Sequence, residues 1–259
     1  CRWLAWFVFL ILPATSWAAT YYVDNGSASC SPSGPGTEAQ PYCTISAAVA
    51  AHNGAGVTIL VKPGIYREQV TISASGTSSS SFVIQALGSP VQVDGSDDFS
   101  STGQWVPFSG NVYRAPSVNW SPLQVFVDGA RLAPSTAGPA ALPANTFQHV
   151  AGAGLYVNLG GDNPGDHQAA AGKRESGIKV SAGSWIVVDG FTVTRTENRA
   201  IYLTAASGCV VRDNTIQFSR KYGIYISGGS CNLIERNRGS DNQSHGIGLV
   251  NGARGATVR

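Results

Sequence analysis

The sequence predicts an all-β solenoid, a parallel β-helix, and three observations carry that expectation. The composition suits short strands and tight turns: of 259 residues only 12% are charged, and 31 are Gly. Ile201, Ile224 and Ile247 recur at intervals of 23 residues, inside Ala200-Ile201-Tyr202-Leu203, Gly223-Ile224-Tyr225-Ile226 and Gly246-Ile247-Gly248-Leu249. A second strand keeps the same interval at Val187-Val188, Val210-Val211 and Leu233-Ile234, so two strands per coil recur in phase. Periods of this size belong to leucine-rich repeats or to parallel β-helices. The leucine-rich pattern asks for several Leu at fixed offsets, whereas β-branched residues, Gly and Asn fill the positions here. Stacking at the strand spacing of about 4.8 Å would then make residues one coil apart into neighbours.

Taken in chain order, Trp3 to Leu12 is apolar, follows Arg2 and precedes Ser16 and Ala18, so residues 1–18 read as a secretory signal peptide. The stretch is short for a membrane span, and an N-terminal anchor helix is the alternative. No Met stands at position 1 or anywhere else, so the natural reading frame is expected to start upstream. Residues 19–259 form the predicted β-helix domain. Its N-terminal cap, about 19–56, contains a helix at Thr44–Ala51 with Thr44 as N-cap and His52-Asn53-Gly54 as its stop. Such a helix would cover the open first coil. Cys30 and Cys43 flank a loop rich in Gly, Pro and Ser, and export would let them form a disulfide.

Asp94-Gly95, Asp128-Gly129 and Asp189-Gly190 each end a strand and read as turns, the Asp accepting backbone N–H groups and the Gly permitting positive φ. The interval from Asp128 to Asp189 exceeds one coil, so residues 131–173, rich in Pro, Ala and Gly, are expected to leave the solenoid as an excursion. Regular coils occupy about 185–259. Asn214 and Asn237 form a structural column at one of their turns, and Cys209 and Cys231 are either stacked thiols or a second bridge. Ala256-Thr257-Val258-Arg259 resembles the start of a further coil, so the domain is expected to be incomplete at its C-terminus.

The formal charge of +2 is not gathered into a basic block, which gives no ground for a nucleic-acid or anionic-membrane partner. No C-x-x-C or Cys/His zinc pattern, nucleophile elbow, phosphate loop or dinucleotide fingerprint is present. The mature chain is expected to be a monomer, secreted or at the cell surface, in an extracellular or periplasmic setting without stable membrane insertion.

Tyr21-Tyr22-Val23-Asp24, the helix at Thr44 and the run Val57-Thr58-Ile59-Leu60-Val61-Lys62-Pro63-Gly64-Ile65-Tyr66-Arg67-Glu68-Gln69-Val70 resemble the opening of bacterial right-handed parallel β-helix proteins of the pectate-lyase-like superfamily. With the coils after Trp185 the resemblance covers most of the chain. It implies a right-handed β-helix. The superfamily holds polysaccharide lyases, glycoside hydrolases, epimerases and proteins without known activity, so the fold does not choose among them.

The resemblance implies a polysaccharide partner and, among the enzymes, a lyase acting on an acidic polymer. Such a lyase removes a proton beside a carboxylate, which takes a base and a positive field on the developing enediolate. In resembling enzymes Lys or Arg is the base, and Ca²⁺ or a basic side chain supplies the field. In the 23-residue register Glu197, Arg220 and Gln243 form a column beside Asn198, Lys221 and Ser244, and beside Arg199, Tyr222 and His245. Lys221 is the candidate base, with Arg220 and His245 as further catalytic candidates. Arg199, Glu197, Tyr222 and Asp241 are the candidate substrate contacts. A metal site is not predicted: Asp213, Glu235 and Asp241 are candidate Ca²⁺ ligands, but no D-x-D-x-D cluster exists. Asp97-Asp98, the sole adjacent carboxylate pair, reads as a solvated loop, and Trp105 and Trp120 as sugar-stacking or core residues. The alternative class is a noncatalytic extracellular solenoid that binds glycans or serves adhesion.

Overall fold

The computed structural model describes residues 19–259. The segment read as a signal peptide, residues 1–18, lies outside the described residues. Three parallel sheets run the length of the solenoid. Sheet 1 has seven strands, Ala19–Val23, Val57–Val61, Phe82–Ala86, Ile186–Asp189, Val210–Arg212, Leu233–Glu235 and Thr257–Val258. Sheet 2 is built from Gly64–Tyr66, Val91–Asp94, Thr192–Thr194, Thr215–Gln217 and Arg238–Ser240. Sheet 3 is built from Val70–Ile72, Ser176–Ser181, Arg199–Thr204, Tyr222–Ser227 and His245–Val250. Each regular coil contributes one strand to each sheet, so there are three strands per coil rather than the two that the repeat displays. The third, typified by Thr192–Thr194, buries only one or two side chains and leaves little trace in the pattern.

The 23-residue register holds. Ile201 pairs with Ile224 and Ile224 with Ile247, and the row extends back through Ile178 to Val70. Ile178, Ile201 and Ile224 lie inside the core with Phe82, Ile186 and Phe191. Burying such a side chain contributes about 2 kcal/mol, a gain that the row repeats from Val70 to Ile224, whereas Ile247 in the last coil is exposed. The corners repeat too. Ala182, Ala205, Gly228 and Asn251 share left-handed φ of 54, 50, 70 and 52°, and Arg195, Phe218 and Asp241 share 55, 58 and 56°. A left-handed conformation costs a non-Gly residue roughly 1 kcal/mol, a strain that ladder hydrogen bonds on both sides hold in place. At another corner Asn214, almost fully buried, accepts from Phe191 N at 2.9 Å and donates to Asn237 Oδ1 at 2.9 Å. Cys209 and Cys231 are both free thiols, the first buried and the second exposed.

The N-terminal cap explains the run from Lys62 to Glu68. The helix, Ile45–Ala51, has Thr44 as N-cap, and both Glu68 oxygens accept from its first amides, Ile45 N and Ser46 N, at 2.8 Å. The buried Tyr66 hydroxyl donates to Lys62 O at 2.9 Å, and burial pushes its phenol up to about 12. Gly64 leaves room for the Asn25 side chain, whose Oδ1 occupies the space of a Cβ while its Nδ2 donates to Ile65 O at 2.8 Å. Cys30 and Cys43 form a disulfide.

The excursion is larger than the sequence suggests. The chain leaves sheet 2 after Asp94 and enters sheet 3 only at Ser176, so the inserted unit starts near Ser96 rather than Arg131. It holds an antiparallel sheet of Ser96–Asp98, Ala169–Gly172, Val125–Val127 and Ala130–Arg131, and a second sheet that includes Val112–Ala115, Thr146–Val150 and Gly154–Asn158. Phe99, Trp105, Phe147 and Leu155 give it a core of its own. Val125-Phe126-Val127-Asp128-Gly129 misleads because an antiparallel strand with a Gly turn has the local pattern of a solenoid strand; only its partner, Ala169–Gly172, tells them apart. In the following coil the whole insertion is replaced by the short turn from Arg195 to Asn198.

Candidate functional site

Where sheet 3 begins, one carbonyl in each coil accepts two amides from the next. Glu175 O takes Asn198 N and Arg199 N at 3.1 and 3.0 Å, Asn198 O takes Lys221 N and Tyr222 N at 3.0 Å each, and Lys221 O takes Ser244 N and His245 N at 3.0 and 3.2 Å. These forks lock successive turns, so Arg199, Tyr222 and His245 stand in register beside Lys221 and Ser244.

On the outward face this column meets a second, Lys179, Tyr202, Tyr225 and Gly248, also in register. The Arg199 guanidinium lies 4.4 Å from the Tyr202 ring and 4.7 Å from the Tyr225 ring. Tyr222 packs on Tyr225 at 4.5 Å and stacks on the His245 imidazole at 5.4 Å and 14°. Glu175 Oε1 accepts from Arg199 Nη1 at 2.9 Å and from Asn198 Nδ2 at 3.0 Å. The result is an aromatic platform whose rings are held by a cation and a carboxylate. Gly248 leaves it open, since a Cβ there would press on Tyr222 and Tyr225 at 3.1 Å.

Lys221 is exposed one residue before Tyr222, and no carboxylate among the described residues pairs with its ammonium. His245 Nδ1 shares a hydrogen bond of 2.6 Å with Ser244 Oγ. Arg220 turns toward the insertion, where it lines a cleft of about 330 Å³ with Leu123, Phe147 and His149. Glu197 is buried at the seam between solenoid and insertion, only 8% exposed. Its Oε2 accepts from Leu123 N at 2.9 Å, while Oε1 has no partner and faces Gly172, where any Cβ would collide with it. Burial pushes its carboxyl up to about 7, against the opposing pull of the Leu123 and Gln124 amides and of Arg220. Glu197 therefore joins the insertion to the solenoid and does not face the outer surface. Asp241 belongs to the corner of Arg195 and Phe218, where its carbonyl accepts from Arg131 Nη2 at 3.3 Å.

The candidate Ca²⁺ ligands do not converge. Asp213 is paired with Arg236, and Glu235 with Arg236 and Arg259, at 2.8 to 3.2 Å. These arginines occupy the oxygens a hard cation would need, so the set does not fit Ca²⁺. Asp97 and Asp98 lie on a strand of the insertion rather than in a loop: Asp97 pairs with Lys173 and Arg174, and Asp98 with Arg67. Trp105 is buried and donates to Phe99 O at 2.8 Å, and Trp120 donates to Gly172 O at 2.7 Å, so both indoles serve the insertion's interior rather than a sugar surface.

Sequence reasoning missed Glu175, Lys179, Tyr202 and Tyr225. The two tyrosines occupy the variable slot of the very repeat that revealed the fold, and an outward slot carrying Tyr twice in succession was the available signal. Extending the register one coil back from Ile201 to Ile178 would have added Glu175 and Lys179.

A family described as the right handed beta helix region matches residues 128–259, slightly more than half of the chain. No curated protein matches it. A solved structure described as the complex of XylC with xylose is 17% identical, covers 89% of this chain and 56% of its own, and superposes with a TM-score of 0.65. Another, described as a glycoside hydrolase, is 11% identical, covers 87% of this chain and 74% of its own, with a TM-score of 0.66. The chain thus spans little more than half the length of the first of these. At such identities the likeness concerns the fold, and together with the family match it establishes that the chain belongs to the right-handed β-helix family.

Proposed function

We propose that the protein is a secreted carbohydrate-active β-helix protein that binds an acidic polysaccharide along the outer face of sheet 3. The observation that carries this reading is the platform of Tyr202, Tyr225 and Tyr222 around Arg199, with the exposed Lys221 next to Tyr222 in the chain. Tyrosine faces stack on pyranose rings, and a cation at the rim attracts a uronate carboxylate. The Cys30–Cys43 disulfide supports an oxidising compartment. The carbohydrate-related descriptions of the two superposed structures agree with the broad class.

In the lyase-like form of this reading Lys221 takes the proton beside the uronate carboxylate. The electron pair then expels the neighbouring glycosidic oxygen and leaves an unsaturated sugar. His245, whose imidazole stacks on the Tyr222 ring at 5.4 Å, is the second proton carrier. A noncatalytic glycan-binding reading has its own support, because Arg199 is already engaged by Glu175 and Glu197 is turned inward. Incubation with uronate polymers, followed by absorbance of unsaturated products with and without calcium, separates the two. Product formation that falls at least about 100-fold in Lys221→Ala supports the lyase. Binding of intact polymer that is lost in Tyr225→Ala supports the binding module, and neither result leaves the reading without support.

A further inference from the structure

Between sheet 2 and the insertion lies a groove that the platform does not use. Two clefts, of about 280 and 270 Å³, share Ile65, Gln168 and Arg195 and so run into one another. The floor is the outward face of sheet 2, where Gln92 follows Ile65 and Gln217 follows Thr194 in register. The insertion forms the wall with Gln168, and at one end the Phe218 ring meets that of Phe126 edge-on at 5.7 Å. Each cleft is near the lower end of the range for small-molecule sites, and joined they form an elongated slot.

The slot's chemistry is specific. Its two cations are already neutralised: Arg67 pairs with Asp94 and Asp98, and Arg195 with the fully buried Asp94. Neither lining arginine is left free to select a phosphate or carboxylate, and the Arg131 guanidinium, 5.3 Å from the Phe126 ring and 6.0 Å from that of Phe218, is not among the residues that line the slot. What remains is a set of side-chain amides. Gln92 spends its amide N–H on Asp94 Oδ2 at 3.3 Å, which leaves its oxygen to accept. The amides of Gln168 and Gln217 have no hydrogen-bond partner among the described residues. Each amide both donates and accepts, as the vicinal hydroxyls of a sugar do, and Ile65 and Phe218 offer apolar surface for the ring.

We propose that this groove between sheet 2 and the insertion is a second binding site, for a neutral oligosaccharide, separate from the tyrosine platform. The inference does not rest on the proposed acidic-polymer site, since none of its residues is shared. Its test is titration calorimetry of the folded protein with a panel of neutral cello-, xylo-, manno- and galacto-oligosaccharides, alongside Gln217→Ala, Gln168→Ala and Arg199→Ala. Gln168 is exposed on the insertion, so its variant keeps the fold even if Gln217→Ala does not. The expected result is that at least one neutral oligosaccharide binds, that Gln217→Ala or Gln168→Ala weakens it about tenfold, and that Arg199→Ala leaves it unchanged. The proposal is overturned if no oligosaccharide binds, or if binding responds to Arg199→Ala and ignores both glutamine variants.

Discussion

The buried Glu197 makes folding depend on pH in a direction opposite to that of most carboxylates, and Glu197→Gln isolates the effect. Moving the carboxyl from its ordinary 4.5 to about 7 makes its charged form about 3 kcal/mol less favourable in the folded protein than in the unfolded chain. Between these two values the folded state holds more protons than the unfolded one, so stability falls as pH rises. Its contribution is undiminished below pH 4.5, is lost progressively up to about 7, and is level above that. Gln has nearly the same shape, can still accept from Leu123 N, and does not ionise. Urea unfolding, followed through tryptophan fluorescence, reads the seam directly because Trp120 donates to the carbonyl of Gly172, which faces Glu197. Across that window the wild-type protein should lose about 3 kcal/mol relative to Glu197→Gln, and the comparison cancels groups that titrate alike in both. A stability difference that stays constant across the window would refute the buried, proton-binding role of Glu197.

Other consequences of the coil geometry can be measured in the same way. Gly228 and Gly229 both have positive φ, but a Cβ on Gly229 would overlap the Ala206 carbonyl, whereas one on Gly228 finds its nearest neighbour, Asn251 O, at 3.7 Å. Gly228→Ala should cost about 1 kcal/mol and Gly229→Ala about 3 kcal/mol or more, as thermal melts would show. Asn214→Ala should cost about 2–3 kcal/mol by urea unfolding, because it leaves the Phe191 amide without its acceptor. Tyr225→Ala should weaken binding of a uronate oligomer about tenfold in calorimetry and leave the unfolding midpoint nearly unchanged, since its ring packs on the outer face.

What the sequence displays follows from which residues the core restrains. Ile201 and Ile224 are conspicuous because the interior accepts only apolar side chains at that row, which Ile247 continues in register although exposed, and Asn214 and Asn237 because the corner needs an amide of one length. The strands of sheet 2 are hidden by their shortness, and the insertion's start at Ser96 by a local pattern that parallel and antiparallel strands share. The candidate columns could be read because they inherit the register of the core. Side-chain direction could not. Glu197 and Arg199 differ by two residues, yet one turns into the seam and the other onto the tyrosines, because the turn between sheets 2 and 3 breaks strand alternation there. Asp241 lies at the corner before that turn, where its backbone carbonyl accepts from Arg131.

The most direct test of the coil register is a pair of engineered cysteines on sheet 3, made with Cys231 replaced by Ser. Thr204 and Ser227 are partners across adjacent coils, whereas Thr204 and Tyr225 share the face but stand two residues out of register. Partnered strands bring Cα atoms to about 5 Å, within reach of a disulfide, and the diagonal neighbour at about 7 Å or more is beyond it. Mild oxidation should cross-link Thr204→Cys with Ser227→Cys, seen as a mobility shift that reductant reverses, and should leave Thr204→Cys with Tyr225→Cys open. Equal cross-linking of both pairs, or preference for the second, would contradict the stacking on which both proposed binding surfaces are built.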